Sequence, residues 1–336
     1  MNATKFLAAG VSIVLPTKKS PKVYLAIDNA NIAKQSYKLY NPFSAKAKLL
    51  KYFTKFICVY LNTLAKTLLP NITHDKSKFI QDLENKFEEE IQSSIYFSTA
   101  KDKTVIQLQN NGKIIGYLKY AISPIGEKRI LNEQKAIKLL SDLKLAPKIL
   151  DAGYYEQKPY IILENIEGSI GYVSDNEYHK VLQSLKKEDK HKLIDHPRVI
   201  QLIQKLEEYQ LNDLNNKIQR ELASSMERYF EVFEHGDFAP WNLIRIKDDV
   251  MAFDFEYFEE KGLQYLDEIK YHFQLNHLMN KKTGLALIQS ISDKINIQEF
   301  NLIFLIFLAK EIVNKKEARE SDTFEKSLLS HIIYDN

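Results

Sequence analysis

The dipeptide Asn111-Gly112 separates two runs, 104–109 and 113–121, that are rich in apolar residues. Both residues tolerate positive φ, so the pair predicts a tight hairpin between two strands. A further extended run, 94–98, precedes them across a charged loop at 101–103. A helical pattern follows over 127–143, and a strand pair, 148–154 and 160–163, ends before Gly168. Beyond it the chain reads as helical from 177 to 229. Two short extended pieces, 243–246 and 250–253, then bracket Lys247-Asp248-Asp249, and helices return from 266 to 333. Sheet first and helices later predicts an α+β protein in two lobes.

The first 90 residues stand apart in this reading. They show a strand at 23–27, a helical pattern at 44–69 that Pro70 ends, and another at 79–91. The expected organisation is an N-terminal extension (1–90), a lobe of sheet and helix (91–165) and a helical lobe (166–336). With 336 residues, 45% of them hydrophobic, the chain is long enough for sizeable cores. The longest apolar run, 302–309, is far shorter than the roughly 20 residues of a membrane span and reads as a buried helix core. The apolar stretch 6–15 has one lysine before it and runs into Pro16, Lys18 and Lys19, which makes a poor secretory signal. Cys58 is the single cysteine, which excludes an intramolecular disulfide and a cysteine zinc site and suits a reducing, cytoplasmic setting.

A formal charge of +3 is too small to point to nucleic acid, but it is unevenly spread. Between Asn29 and His74 there are seven lysines and no Asp or Glu. On a helix over 44–69, Lys48, Lys51, Lys55, Asn62 and Lys66 gather on one side, with Leu49, Leu50, Phe53, Phe56, Ile57, Tyr60, Leu61, Leu64 and Leu68 on the other. The plainer expectation is that the apolar side packs on the protein core while the lysines are solvated. The alternative is a peripheral contact with an anionic membrane or an acidic glycan.

The stretch with most chemical content is His235-Gly236-Asp237-Phe238-Ala239-Pro240-Trp241-Asn242, followed by Asp254-Phe255-Glu256. Asp237, Asn242 and Asp254 are hard oxygen donors of the kind magnesium takes. The segment resembles the catalytic loop of the aminoglycoside phosphotransferase and choline kinase families, distant relatives of the protein kinases. The resemblance implies a bilobal protein-kinase-like fold over residues 95–270, with Asp237 as catalytic base, Asn242 and Asp254 as magnesium ligands, and His235 bracing the loop. Gly236 and Glu256 replace the Arg and Gly of protein kinases, which implies a small-molecule acceptor and no control by loop phosphorylation.

Lys119 lies in the run 113–121, and Glu133 lies in the apolar stripe Ile130, Ile137, Leu140 of the following helix. A carboxylate inside such a stripe needs a cation, and Lys119 is the economical partner. In kinases this pair orients ATP phosphates. No glycine-rich loop is visible; by position Ser98, Thr99 and Lys103 would contact phosphate. The stretch around Glu164 and Ile166 resembles the hinge whose backbone meets adenine, and Asp267 is expected to cap the next helix. The expected cofactors are ATP and Mg2+, and the expected acceptor is a small molecule or glycan. More loosely, the chain resembles kinase-like proteins of bacterial surface polysaccharide synthesis. The rival expectation is a pseudokinase that keeps the fold as a binding or assembly module.

Overall fold

The computed structural model describes residues 3–40, 45–97, 102–247 and 249–332. The chain divides into two compact units, residues 1–134 with 147–166, and residues 135–146 with 167–336.

The strands of the first unit are β1 (Gly10–Thr17), β2 (Ser20–Ala26), β3 (Asn71–His74), β4 (Gln92–Phe97), β5 (Lys103–Asn110), β6 (Lys113–Ala121), β7 (Ile149–Tyr155) and β8 (Lys158–Glu164). They form one sheet in the order β3-β1-β2-β4-β5-β6-β8-β7. Asn111 and Gly112, at φ 50° and 82°, make the β5–β6 turn, as their side chains favour. The sequence pattern sets residues 1–90 apart, but the sheet does not: β2 pairs with β4 through Val23–Tyr96 and Tyr24–Ile95. Such pairings are set by register between distant segments, which local periodicity does not report.

The helices of this unit are α1 (Ala30–Ser36), α2 (Ala45–Tyr60), α3 (Asn62–Leu68), α4 (Lys78–Phe87) and the part of α5 (Pro124–Leu140) up to Gln134. One core gathers Phe6, Ile80, Leu83, Ile95, Ile106, Leu118 and Ile162. α4 contributes Phe79, Ile80 and Leu83 to it, and its first turn is capped by Ser77, whose hydroxyl accepts from the Ile80 N–H. A second core joins Ile13, Val23, Leu25, Ile27 and Tyr37 with Ile57, Cys58 and Ala65.

That second core corrects the plainer expectation for 44–69. The helix breaks at Leu61 into α2 and α3, and what it buries is Thr54, Ile57, Cys58 and Ala65. Leu49, Tyr52, Phe53, Phe56, Tyr60, Leu64 and Leu68 are exposed instead. Asn62 fixes this orientation by donating to the Ile27 carbonyl at 2.9 Å, and Lys66 by donating to the Asp28 carbonyl at 2.8 Å.

The second unit holds β9 (Ser169–Ile170), α6 (Asp175–Ser184), β10 (Lys186–Lys192), α7 (Pro197–Glu208), α8 (Asn212–Ser224), β11 (Arg228–Glu234), β12 (Leu243–Ile246), β13 (Asp249–Ala252), β14 (Glu259–Leu263), α9 (Leu266–Gln274), α10 (Gly284–Ser292), α11 (Phe300–Glu317) and α12 (Thr323–Leu329). Two small sheets have the orders β10-β11-β14 and β13-β12-β9. The helix expected across 177–229 is interrupted by β10, whose sequence Lys-Lys-Glu-Asp-Lys-His-Lys carries no apolar residue. It is held as a strand by pairing with β11, with the Lys186 and Lys190 ammonium groups 3.6 and 4.1 Å from the Phe230 ring centre. α11 is buried from Phe300 to Val313, and each fully buried Leu, Ile or Phe there is worth about 1.5–3 kcal/mol. Among the described residues no helix is long and apolar enough to cross a membrane.

Candidate active site

β11 ends at Glu234, and the chain turns through His235 and Gly236 to Asp237. Gly236 has φ 81°, and a Cβ there would lie 2.1 Å from the Tyr257 carbonyl oxygen. The turn therefore requires glycine on two counts, handedness and space. The His235 ring nitrogen Nδ1 accepts from the Asp237 N–H at 3.3 Å, so its Nε2 carries the proton and donates to the Phe253 carbonyl at 3.0 Å. The ring packs against Phe255, with centres 4.4 Å apart.

Asn242 closes the turn. Its side-chain amide donates to the Asp237 carbonyl at 2.9 Å and to Asp237 Oδ2 at 3.1 Å. That leaves the amide oxygen as the Asn242 atom able to ligate a cation. Asn242 also enters the β12–β13 hairpin, and the Phe253 N–H donates to its backbone carbonyl at 3.0 Å. Asp254 follows directly, so hairpin pairing sets Asn242 and Asp254 at the same open end. Asp254 has φ 70°, a left-handed conformation uncommon outside glycine.

The other oxygen of Asp237 meets Lys270, at 3.3 Å from Oδ1. Lys270 also binds Glu311 Oε2 at 2.6 Å, and Lys310 lies 3.6 Å from Glu311 Oε1 and 3.0 Å from Glu234 Oε1. Arg198 reaches Glu234 Oε2 at 3.2 Å. The result is a chain of alternating charge, Arg198, Glu234, Lys310, Glu311, Lys270, Asp237, whose first five members are at most 9% exposed. Burial disfavours the Lys270 charge, but Glu311 and Asp237 more than offset this and hold the ammonium protonated above its usual range. Burial would likewise raise the Glu234 carboxyl, yet Arg198 and Lys310 hold it down at about 2.

Asp267 differs from its expected role as a helix cap. Its two oxygens accept from the His235 and Gly236 N–H groups at 2.6 and 2.9 Å, so it braces the loop rather than its own helix. Burial and the neighbouring Glu234 carboxylate push its own carboxyl up to about 7, against the pull of those two amides.

A cavity of about 350 Å³ lies beside the loop, lined by Asp237, Lys270, His277, Glu311, Asn314 and Glu325 among others. Glu311 Oε1 and Glu325 Oε2 are buried without a hydrogen-bond partner. A second cavity, about 270 Å³, includes His179, Tyr265, Glu268 and Lys294 but not Asp237.

In the first unit, Lys119 sits mid-sheet on β6, opposite Val105 of β5 and Ile161 of β8. Its ammonium lies 2.8 and 2.7 Å from the two oxygens of Glu133 on α5. Glu133 is fully buried between Ile130 and Ile137, as the stripe predicts. Lys103 begins β5, with its N–H donated to Asp102, while Ser98 and Thr99 lie outside the described residues. Glu164 ends β8; its carboxylate accepts from the Lys148 N–H and its N–H donates to the Lys148 carbonyl. The Asn165 N–H donates to Ile115, and Ile166 follows, half-buried. Lys119 and Glu133 thus meet within the first unit and Asp237 and Asn242 within the second, with Asp254 at the end of the hairpin that Asn242 enters.

Lys270, Lys310, Glu311 and Glu234 escape the sequence reading. Lys270 had a signal: with Leu266, Ile269 and Phe273 it completes an i, i+3, i+4, i+7 stripe, the pattern that points to Glu133.

No protein-family model matches the chain, and no curated protein matches it. Solved structures do. A thermostable mutant of the aminoglycoside phosphotransferase APH(4)-Ia, in ternary complex with ADP and hygromycin B, is 11% identical over 76% of this chain and 98% of its own, with a TM-score of 0.51. An ethanolamine kinase of Plasmodium vivax is 12% identical over 91% and 94%, with a TM-score of 0.46. A choline kinase of Cryptosporidium parvum is 15% identical over 72% and 87%, with a TM-score of 0.40. Identities this low speak to fold and not to activity. The chain has an α+β, protein-kinase-like fold, shared with that aminoglycoside phosphotransferase.

Proposed function

We propose that the protein is a phosphotransferase that moves the γ-phosphate of ATP, taken with Mg2+, to a hydroxyl of a small molecule, sugar or glycan. The observation that carries this reading is the Asp237 carboxylate, held through both oxygens by Lys270 and Asn242 on the wall of a polar cavity. Phosphoryl transfer needs positioning and charge more than covalent help from protein. Asp237 would orient the acceptor hydroxyl and take its proton. The Asn242 amide oxygen and the Asp254 carboxylate suit magnesium, which when bound neutralises phosphate charge. Lys119, fixed through Glu133, supplies an ammonium for nucleotide phosphate. The carboxylates of Glu311 and Glu325 on the cavity wall favour an acceptor rich in hydroxyl or amine donors.

The test is acceptor-dependent ADP release across a library of sugars, amino alcohols and aminoglycosides, run beside melting curves with ATP and Mg2+. For the wild type, nucleotide at 100 times its Kd should add about 2.7 kcal/mol of stability. Asp237→Ala should lower turnover by about 10²–10⁴-fold and keep that shift, and Asp254→Ala should lose its magnesium-dependent part. Turnover by Asp237→Ala at the wild-type rate would sink the mechanism. A wild type that neither releases ADP nor shifts with nucleotide would point to a binding or assembly module.

A further inference from the structure

The exposed side of α2 and α3 has a composition that solvent alone does not explain. Leu49, Tyr52, Phe53, Phe56 and Tyr60 recur at i, i+3, i+4, i+7 and i+11, so they form one continuous stripe. Leu49, Tyr52, Phe53 and Tyr60 are 70%, 73%, 60% and 73% exposed, and Leu64 and Leu68 extend the stripe along α3. This is not the side that holds the helices to the protein, which is Thr54, Ile57, Cys58 and Ala65. An exposed apolar stripe of this length, four-fifths aromatic in α2, marks a contact surface.

The charge around the stripe says what it contacts. At 100° per residue, Lys48 and Lys55 fall along one margin and Lys46 along the other, and no acid occurs anywhere from Asn29 to His74. A second copy of the same face would set lysine margin against lysine margin. We propose that α2 and α3 lie in the headgroup region of an anionic bilayer, with Phe53, Phe56 and their neighbours entering the acyl boundary and Lys46, Lys48 and Lys55 meeting lipid phosphates or carboxylates. Tyr52 and Tyr60 suit that depth, having an apolar ring with a polar end. The contact is peripheral, since no described helix can span.

The test is sedimentation of the full chain with vesicles of phosphatidylcholine alone or with phosphatidylserine, at low and high salt, with size determined in parallel without lipid. The wild type should pellet with the phosphatidylserine vesicles at low salt and be released by high salt. Changing Lys46, Lys48 and Lys55 together to Gln should weaken binding by about a hundredfold. Phe53→Ser with Phe56→Ser should abolish it; both side chains are exposed, so the variant's melting temperature should match the wild type. This test needs neither ATP nor acceptor, so its failure is separate from failure of the kinase reading. A wild type left in the supernatant at low salt would overturn the proposal. So would equal binding to both vesicle types, or a dimer that the Phe53→Ser, Phe56→Ser variant dissolves, which would make a second copy the occupant.

Discussion

The two units handle buried charge in different ways. In the first, Lys119 is bound through both oxygens of one carboxylate, and Glu133 has no exposed surface. In the second, the interior ions of the chain from Arg198 to Asp237 each touch a neighbour on either side. A pair concentrates the consequence of a loss on one survivor, whereas a chain leaves every survivor with a remaining partner. The chain also ends on the one member with substantial exposure, the Asp237 side chain at 28%, so its rigidity is delivered to the carboxylate beside the cavity.

The sharpest way to break that contrast is Lys119→Met. It leaves Glu133 in an apolar stripe and should cost about 3–5 kcal/mol of stability, read from denaturant unfolding, together with loss of any ATP-dependent activity. A variant with unchanged midpoint and rate would make Lys119 an ordinary sheet lysine. Lys310→Met should cost less, roughly 1–3 kcal/mol, because Glu234 keeps Arg198 and Glu311 keeps Lys270. If Lys310→Met proves the more damaging of the two, the chain does not share its load as described.

The smallest effect is one of pH. The Glu234 carboxyl is held at about 2, against an ordinary value of 4.5. Its folded-state pKa is depressed, so its ionic contribution is complete above 4.5 and is lost as the pH falls toward 2. Glu234→Gln should therefore melt below the wild type at pH 7, with the gap closing as pH drops from about 4.5 toward 2. A gap of constant size across that window would show that Glu234 is not held ionised by Arg198 and Lys310.

The contrast also explains what the sequence disclosed. Glu133 is legible because α5 has a clear polar face, so a carboxylate out of phase is conspicuous. Asp237, Asn242 and Asp254 are legible because their spacing is local to one loop and one hairpin. Lys310 and Glu311 are not, because the run 302–309 of α11 is apolar around its whole circumference and a charged dipeptide directly after that run looks like the helix's solvated end. Glu234 closes a strand and reads as a turn residue, and its partners come from α7 and α11, elements far away in sequence. The union of β1, β2 and β3 with the later strands is hidden for the same reason: it depends on pairing across long separations. The exposure of Phe53 and Phe56 is a tertiary outcome too, since an amphipathic pattern does not say which of two apolar flanks is the buried one.

The charged strand β10 has a consequence of its own. It forms one border of the β10-β11-β14 sheet, and the opposite border, β14, begins Glu-Glu-Lys. Open strand edges are templates on which other chains can add, and Lys-rich borders discourage that addition. Both borders of this sheet are written in charge, so this sheet is guarded against fibrillar growth by strand addition.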